Sequence, residues 1–185
     1  MCQIKQKLHL SEEIPNITRC HYLEVLGVTF TDRLKMDQHI RNQLKKSNGS
    51  LCVIKIIKSH GASPETLHQV YTALILNRLL YAAHSWWGFV STTERKRIAN
   101  YVGSSLQILP GCQQIDVRGS VEISDKRLFK KTTTNRFHVL QKFFPSTTNH
   151  NRNLRQKGHS FQRSAFNTNT GRNFITRMLH ADFLP

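Results

Sequence analysis

The stretch YLEVLGVTFTDRLKMDQHI, residues 22–40, changes from a strand pattern to a helix pattern halfway along its length. Its first nine residues are rich in β-branched and aromatic side chains around Gly27. Such a composition predicts a strand over residues 22–30. After a charged turn at 31–33, the pattern of a long amphipathic helix begins. The decisive question is which kind of protein places such a strand before basic helices.

Local start and stop signals predict three helices. The first ends near Gly61, a residue type that suits the position after a helix. The second begins with a capping Ser63, a proline at the first helical position and an acid in the first turn, and it continues to about Ala83. The third opens with the capping box Ser91 to Glu94 and stops before Pro110. The apolar stripe of the first helix consists of Met36, Ile40, Leu44, Leu51 and Ile54.

The pattern weakens after residue 112. Residues 120–144 are compatible with one helix, residues 145–173 with irregular structure, and residues 173–180 with a short helical turn. In that fourth helix the inward residues would be Leu128, Val139, Leu140 and Phe143. The segment HSWWGFV, 84–90, is an apolar loop in this interpretation. Its Trp86 and Trp87 are expected to close the core, with stacking on unpaired bases as the alternative.

These elements predict a mainly α fold. We expect a small helical bundle preceded by one or two short β-strands and followed by an irregular basic C-terminal tail. The expected divisions are a strand region at 1–34, the helical bundle at 35–112, an additional helical region at 113–145 and the basic tail at 146–185.

The charge balance is the strongest global signal of function. The 185 residues contain 27 Lys and Arg against 11 Asp and Glu, a formal net charge of +16. Such a field favours a polyanion, either nucleic acid or an anionic membrane surface. No apolar run reaches the roughly 20 residues that span a bilayer, and the first residues lack a signal-peptide pattern. We therefore expect an intracellular protein, cytoplasmic or nuclear, that is not secreted and does not enter a membrane.

Catalytic and metal-binding patterns are not found in the sequence. There is no Asp-Asp pair for two-metal chemistry, no Cys/His zinc spacing and no phosphate-binding glycine loop. We therefore expect no catalytic residues and no metal site. Lysines and arginines on successive helices can follow a phosphate backbone without reading sequence. The nucleic-acid-binding candidates are Arg41, Lys45, Lys46, Lys55, Lys58, Arg95, Lys96 and Arg97. For any single cluster, a solvated helix face is an equally good interpretation.

The order of several motifs carries a family resemblance. They are VLGVTF at 25–30, DQHI at 37–40, KSHG at 58–61, VYTALI at 70–75, LYAA at 80–83, WWGF at 86–89 and LRQKGHS at 154–160. In this order they resemble the segment that follows the polymerase palm in reverse transcriptases of non-LTR, LINE-type retrotransposons, especially the Jockey and CR1-like branches.

The resemblance implies a role for each region. Residues 1–34 would connect palm to thumb, with Leu26, Gly27 and Val28 in a strand beside the primer grip, and 35–112 would form the thumb that holds the template–primer. The catalytic aspartates and their Mg²⁺ would belong to a palm upstream of residue 1. We therefore expect a fragment of an RNA-directed DNA polymerase that has no cofactor and no activity of its own. The alternative is a non-enzymatic protein-interaction remnant of a mobile element, self-associating through the Trp86/Trp87 region.

Overall fold

The computed structural model describes residues 15–16, 18–109, 111, 114–147, 161–162 and 170–181. The strands are β1 (Tyr22–Val25) and β2 (Val28–Thr31). The α-helices are α1 (Asp37–Ser59), α2 (Pro64–Tyr71), α3 (Asn77–Leu79), α4 (Ala83–Trp86), α5 (Thr92–Leu106), α6 (Val117–Thr134) and α7 (Phe174–His180). A π-helical segment, Thr72–Leu76, joins α2 to α3, and 3-10 turns cover Trp87–Phe89, Gln141–Phe143 and Thr170–Arg172. The expected mainly α fold with short strands before the helices is confirmed.

The opening stretch forms a hairpin, so the prediction of one strand over 22–30 was wrong. β1 and β2 pair antiparallel, with Val25 opposite Val28. Leu26 and Gly27 form the two-residue turn between them, with φ of 49° and 81°. Positive φ at both central residues is the mark of the type I′ turn, which Asn-Gly usually signals. Because Leu-Gly lacks that signal, the sequence pattern continued straight through the turn.

The hairpin attaches to the helices through β2. Val28 is 3% exposed and belongs to the main core. The backbone N–H of Thr29 donates to Nδ1 of the buried His39 at 3.3 Å, which joins β2 to the first turn of α1. Every residue of β1 is exposed. β1 is therefore an edge strand without a cover in the described part of the chain.

The helix predictions over 36–106 hold in their main features. Met36, Ile40, Leu44 and Ile54 are buried and Leu51 is half-buried, as the apolar stripe of α1 predicted. α1 ends at Ser59, and Gly61 has a φ of 82°. The two predicted caps are formed, since Ser63 Oγ accepts from the Thr66 N–H and Ser91 Oγ from the Glu94 N–H, each at 3.2 Å. Of the predicted capping box, the structure shows this Ser91 half, and Glu94 Oε2 is buried without a hydrogen-bond partner among the described residues.

The predicted second helix, which consists of α2, the π-helical segment and α3, is shorter than expected. It ends at Leu79 rather than near Ala83, because Ala82 has a left-handed φ of 50° that a helix cannot continue. The HSWWGFV segment is helical rather than a loop, since it forms α4 and a 3-10 turn. Trp86 and Trp87 are 1% and 4% exposed, which confirms that they close the core.

The expectation of one helix over 120–144 was wrong. α6 ends at Thr134, where the hydroxyls of Thr132, Thr133 and Thr134 donate back to carbonyls of the preceding turn. Such bonds compete with the helical pattern. Of the residues expected to point inward, Val139 and Phe143 are 75% and 61% exposed, whereas Leu128 and Leu140 do pack against a core.

Two cores share α6. The main core contains residues of β2, α1–α5 and the first half of α6, including Val117 and Val121. The second contains Phe129 of α6 with Phe174, Met178 and Leu179 around α7. The boundary expected at residue 112 therefore does not separate the cores. The helical turn expected at 173–180 is confirmed as α7. Most of the irregular tail expected at 145–173 lies outside the described residues. Among the residues that the structure describes, we find no helix with the length and the apolar composition of a membrane span.

Candidate nucleic-acid interface

Three of the predicted cations form a line along α1. Arg41, Lys45 and Lys55 are exposed and fall within an arc of about 80° when each residue turns the helix by about 100°. This arc borders the arc that holds Ile40 and Leu44, which face the core. At about 1.5 Å per residue, the line extends over about 21 Å. We call Arg41, Lys45 and Lys55 the α1 basic stripe.

The α1 basic stripe has little acidic charge on its own helix. The 23 residues of α1 contain one acid, Asp37, four residues before Arg41 in the first turn, where it also complements the positive end of the helix. Among the ion pairs of the described residues, none involves Arg41, Lys45 or Lys55. Their field therefore extends into solvent, where a polyanion can meet it.

The two other α1 candidates lie elsewhere. Lys46 is exposed but falls outside the arc of the stripe, and its backbone carbonyl accepts from Arg78 Nη1 at 3.1 Å. Lys58 Nζ donates to the carbonyl oxygen of Ile108, which ties the end of α1 to the segment after α5. The ammonium group of Lys58 therefore makes a contact within the fold.

The three candidates on α5 also differ in whether their charged groups are held by contacts within the fold. Arg95 is half-buried, donates from Nη2 to the Trp87 carbonyl at 3.2 Å, and places its guanidinium 5.4 Å from the centre of the Trp87 ring. Burial, with the nearby positive charges of Arg118 and Arg177, lowers the pKa of Arg95. Arg97 Nη1 forms an ion pair with Glu94 Oε2 at 3.6 Å, and Lys96 is exposed. Arg95 therefore anchors Trp87 and is not a free phosphate ligand.

The hairpin residues expected beside a primer grip do not share one environment. Leu26 is 86% exposed at the turn, Gly27 is the other turn residue, and Val28 is buried in the main core. Trp86 and Trp87 pack edge to face with ring centres 5.8 Å apart, and both are buried. In this fold, neither indole is available to stack on a base or to form the expected self-association surface.

A buried charged cluster is the main feature that the sequence did not predict. Asp125 is 3% exposed; its Oδ1 lies within hydrogen-bond distance of His84 Nδ1, at 2.5 Å, and its Oδ2 forms an ion pair with Arg177 Nη2 at 2.9 Å. These contacts join α4, α6 and α7. The three residues are far apart in sequence and carry no motif, so only the tertiary fold brings them together.

The geometry beside this cluster does not favour hydrolysis. Ser124 Oγ lies 3.4 Å from His84 Nε2, so Ser124, His84 and Asp125 follow each other in a hydrogen-bonded order. Acyl transfer also needs donors aimed at the developing oxyanion. The backbone N–H groups beside Ser124 lie inside α6, where they already donate to helix carbonyls. We therefore interpret the cluster as a clamp between helices.

The described residues also contain no group of three or more His, Cys, Asp or Glu side chains that could hold a metal ion. No protein-family model, curated protein or solved structure matches this chain. The candidate interface therefore rests on the α1 basic stripe and on the motifs of the sequence.

Proposed function

We propose that this chain is a thumb-like, nucleic-acid-binding module of a non-LTR retrotransposon reverse transcriptase, an RNA-directed DNA polymerase. In this proposal it holds an RNA–DNA hybrid or RNA through the backbone and carries no catalytic centre. The family part rests on the order of the sequence motifs. The binding part rests on one observation, the exposed α1 basic stripe, whose cations form no ion pair among the described residues.

The physical argument follows from the shape of the stripe. A helix that presents three cations over about 21 Å can contact phosphates at separate positions along one backbone. Lysine and arginine contacts to phosphate position a duplex without reading its bases. A polymerase module needs this type of contact, because the same surface must hold every sequence that passes over it. Recognition of duplex shape and backbone is also how proteins bind double-stranded RNA.

A matched pair of double variants tests the binding proposal. Lys45→Gln/Lys55→Gln removes two cations of the stripe, and Arg33→Gln/Lys35→Gln removes two exposed cations of the turn after β2. At about 0.5 kcal/mol per exposed cation, the stripe variant should bind an RNA–DNA hybrid about fivefold more weakly at low salt. The turn variant should bind almost as the wild type does. Equal losses in both variants would mean that only net charge matters, and would contradict the proposal.

A second candidate function, protein interaction, is favoured by the uncovered hairpin. Tyr22, Leu23 and Val25 of β1 are 67%, 57% and 44% exposed on a strand edge. Exposed apolar edge strands associate readily with other chains. Sedimentation velocity over a concentration series would detect self-association, and Leu23→Lys should abolish it if β1 is the interface. A chain that stays monomeric throughout would argue against association between copies through this edge.

A further inference from the structure

The turn that follows α6 exposes aromatic rings. Phe137 is 92% exposed, the highest value for a large apolar side chain in the part of the chain that the structure describes. Val139 and Phe143 are 75% and 61% exposed. We call residues 135–143 the Phe137 turn. A ring so fully in water gains nothing from the core, so its exposure calls for a physical reason.

The Phe137 turn is a built structure. Asn135 Oδ1 accepts from the Phe137 N–H at 3.0 Å, and the Asn135 carbonyl accepts from the His138 N–H at 3.0 Å. His138 then accepts twice, from the Leu140 N–H at Nδ1, 3.2 Å, and from the Gln141 N–H at its carbonyl, 2.8 Å. This network fixes the backbone on both sides of Phe137. The ring is therefore presented to solvent by a defined turn.

The sequence around these rings carries formal charge of one sign. Residues 126–181 contain 12 Lys and Arg and no Asp or Glu. The exposed cations in or next to the Phe137 turn are Lys130, Lys131, Arg136 and Lys142. The Lys142 ammonium lies 5.1 Å from the centre of the Phe143 ring. Exposed aromatic rings with cations beside them form the surface that unpaired nucleic acid binds, by base stacking on the rings and phosphate contact with the cations.

We propose that the Phe137 turn is a binding site for single-stranded nucleic acid. An unpaired base stacks on the free face of Phe137, and the neighbouring lysines and Arg136 contact the phosphates on either side. This site is separate from the α1 basic stripe, since it uses other residues and takes an unpaired strand rather than a duplex backbone. The stacking aromatics are thus the exposed phenylalanines after α6, not the buried Trp86 and Trp87.

An apolar hollow gives the strand a second contact. Phe143 lines an open hollow of about 520 Å³ together with Leu128, Leu140, Phe174 and Ile175. Its volume lies within the roughly 300–1,000 Å³ of small-molecule sites. A base splayed out of the strand can enter this hollow against the Phe143 ring. Splayed bases held by aromatic side chains are the usual mode by which proteins bind single-stranded RNA.

Three substitutions in the Phe137 turn separate stacking from simple apolar contact. The probe is a labelled oligouridylate of about 12 nucleotides, within the site sizes of single-strand binders, measured by fluorescence anisotropy with the full chain. Phe137→Leu keeps an apolar side chain without a π face and should weaken binding roughly 5- to 150-fold. Phe137→Trp should bind at least as tightly as the wild type. Val139→Ala, in the same turn, should leave the affinity unchanged.

Two further measurements complete the test. A blunt RNA–DNA hybrid should bind Phe137→Leu and the wild type equally, so that failure here is distinguishable from failure of the α1 basic stripe. Because Phe137 is exposed, circular dichroism should show the same helix content in each variant. Oligouridylate affinity that survives Phe137→Leu would overturn the proposal. So would binding to vesicles of anionic lipid that depends on Phe137 in a chain that does not bind oligouridylate.

Discussion

At the scale of single residues, we expect the substitution of Asp125 to lower the free energy of unfolding strongly. Its buried carboxylate contacts both His84 and Arg177. Asp125→Ala leaves the Arg177 guanidinium without its buried partner, a change that costs about 3 kcal/mol in comparable pairs. Urea denaturation measures this loss. The control is Asp32→Ala, which removes the exposed pair with His21 and should change the free energy of unfolding little. Equal effects of the two variants would contradict the clamp.

His39 gives the fold a predictable response to pH. It is 1% exposed, its Nδ1 accepts the Thr29 N–H, and burial lowers the pKa of His39 below 6.5, with the positive charge of Lys46 acting in the same direction against Glu24. Below pH 6.5 the unfolded chain takes up a proton that the folded chain resists. The contribution of His39 is therefore complete above pH 6.5 and is lost as pH falls through its lowered pKa.

The His39→Gln variant tests this dependence, because it keeps an acceptor for Thr29 and removes the titration. Its free energy of unfolding should fall less than that of the wild type between about pH 7.5 and pH 5.5. The matched control is His60→Gln at the exposed end of α1, which should retain the wild-type slope. The same slope in wild type and His39→Gln would show that His39 does not carry the effect.

At the scale of elements, Gly88 decides how the C-terminal segment packs. A Cβ at Gly88 would overlap the carbonyl group of Arg172. Gly88→Ala should therefore separate the 3-10 turns Trp87–Phe89 and Thr170–Arg172 and destabilise the fold by about 1–3 kcal/mol, as overpacking does. Gly49→Ala is the control, since it lies inside α1 with open space around it and should stabilise by about 1 kcal/mol. Unfolding that is unchanged in Gly88→Ala would contradict this packing.

The same elements show what local sequence can predict. The starts of α2 and α5 were predicted because a cap is a bond between residues three apart, Ser63 with Thr66 and Ser91 with Glu94. Two short strands were within the prediction, but the turn between them was not predicted, because it depends on a positive φ at Leu26, a residue that rarely adopts one. The end of α6 was also not predicted, because the apolar residues of the Phe137 turn continue the helical spacing beyond Thr134.

At the scale of the whole molecule, the sequence predicts the net charge, but it does not predict which lysines and arginines are free to contact a ligand. The net charge of +16 predicts a polyanion partner. Which cations are free depends on contacts between distant residues, such as Lys58 with Ile108 and Arg95 with Trp87. The α1 basic stripe was predictable in composition, because a helical wheel places its members together. That its cations form no ion pair among the described residues could be seen only in the fold.

The most direct test of the central claim is the salt dependence of binding to an RNA–DNA hybrid. For the wild type, the logarithm of the binding constant should fall linearly with the logarithm of salt concentration, because phosphate contacts release counterions. In Arg41→Gln/Lys45→Gln/Lys55→Gln the slope should be shallower by about one unit for each removed cation. A flat dependence in the wild type, or an unchanged slope in the triple variant, would contradict the claim that the α1 basic stripe holds a nucleic-acid backbone.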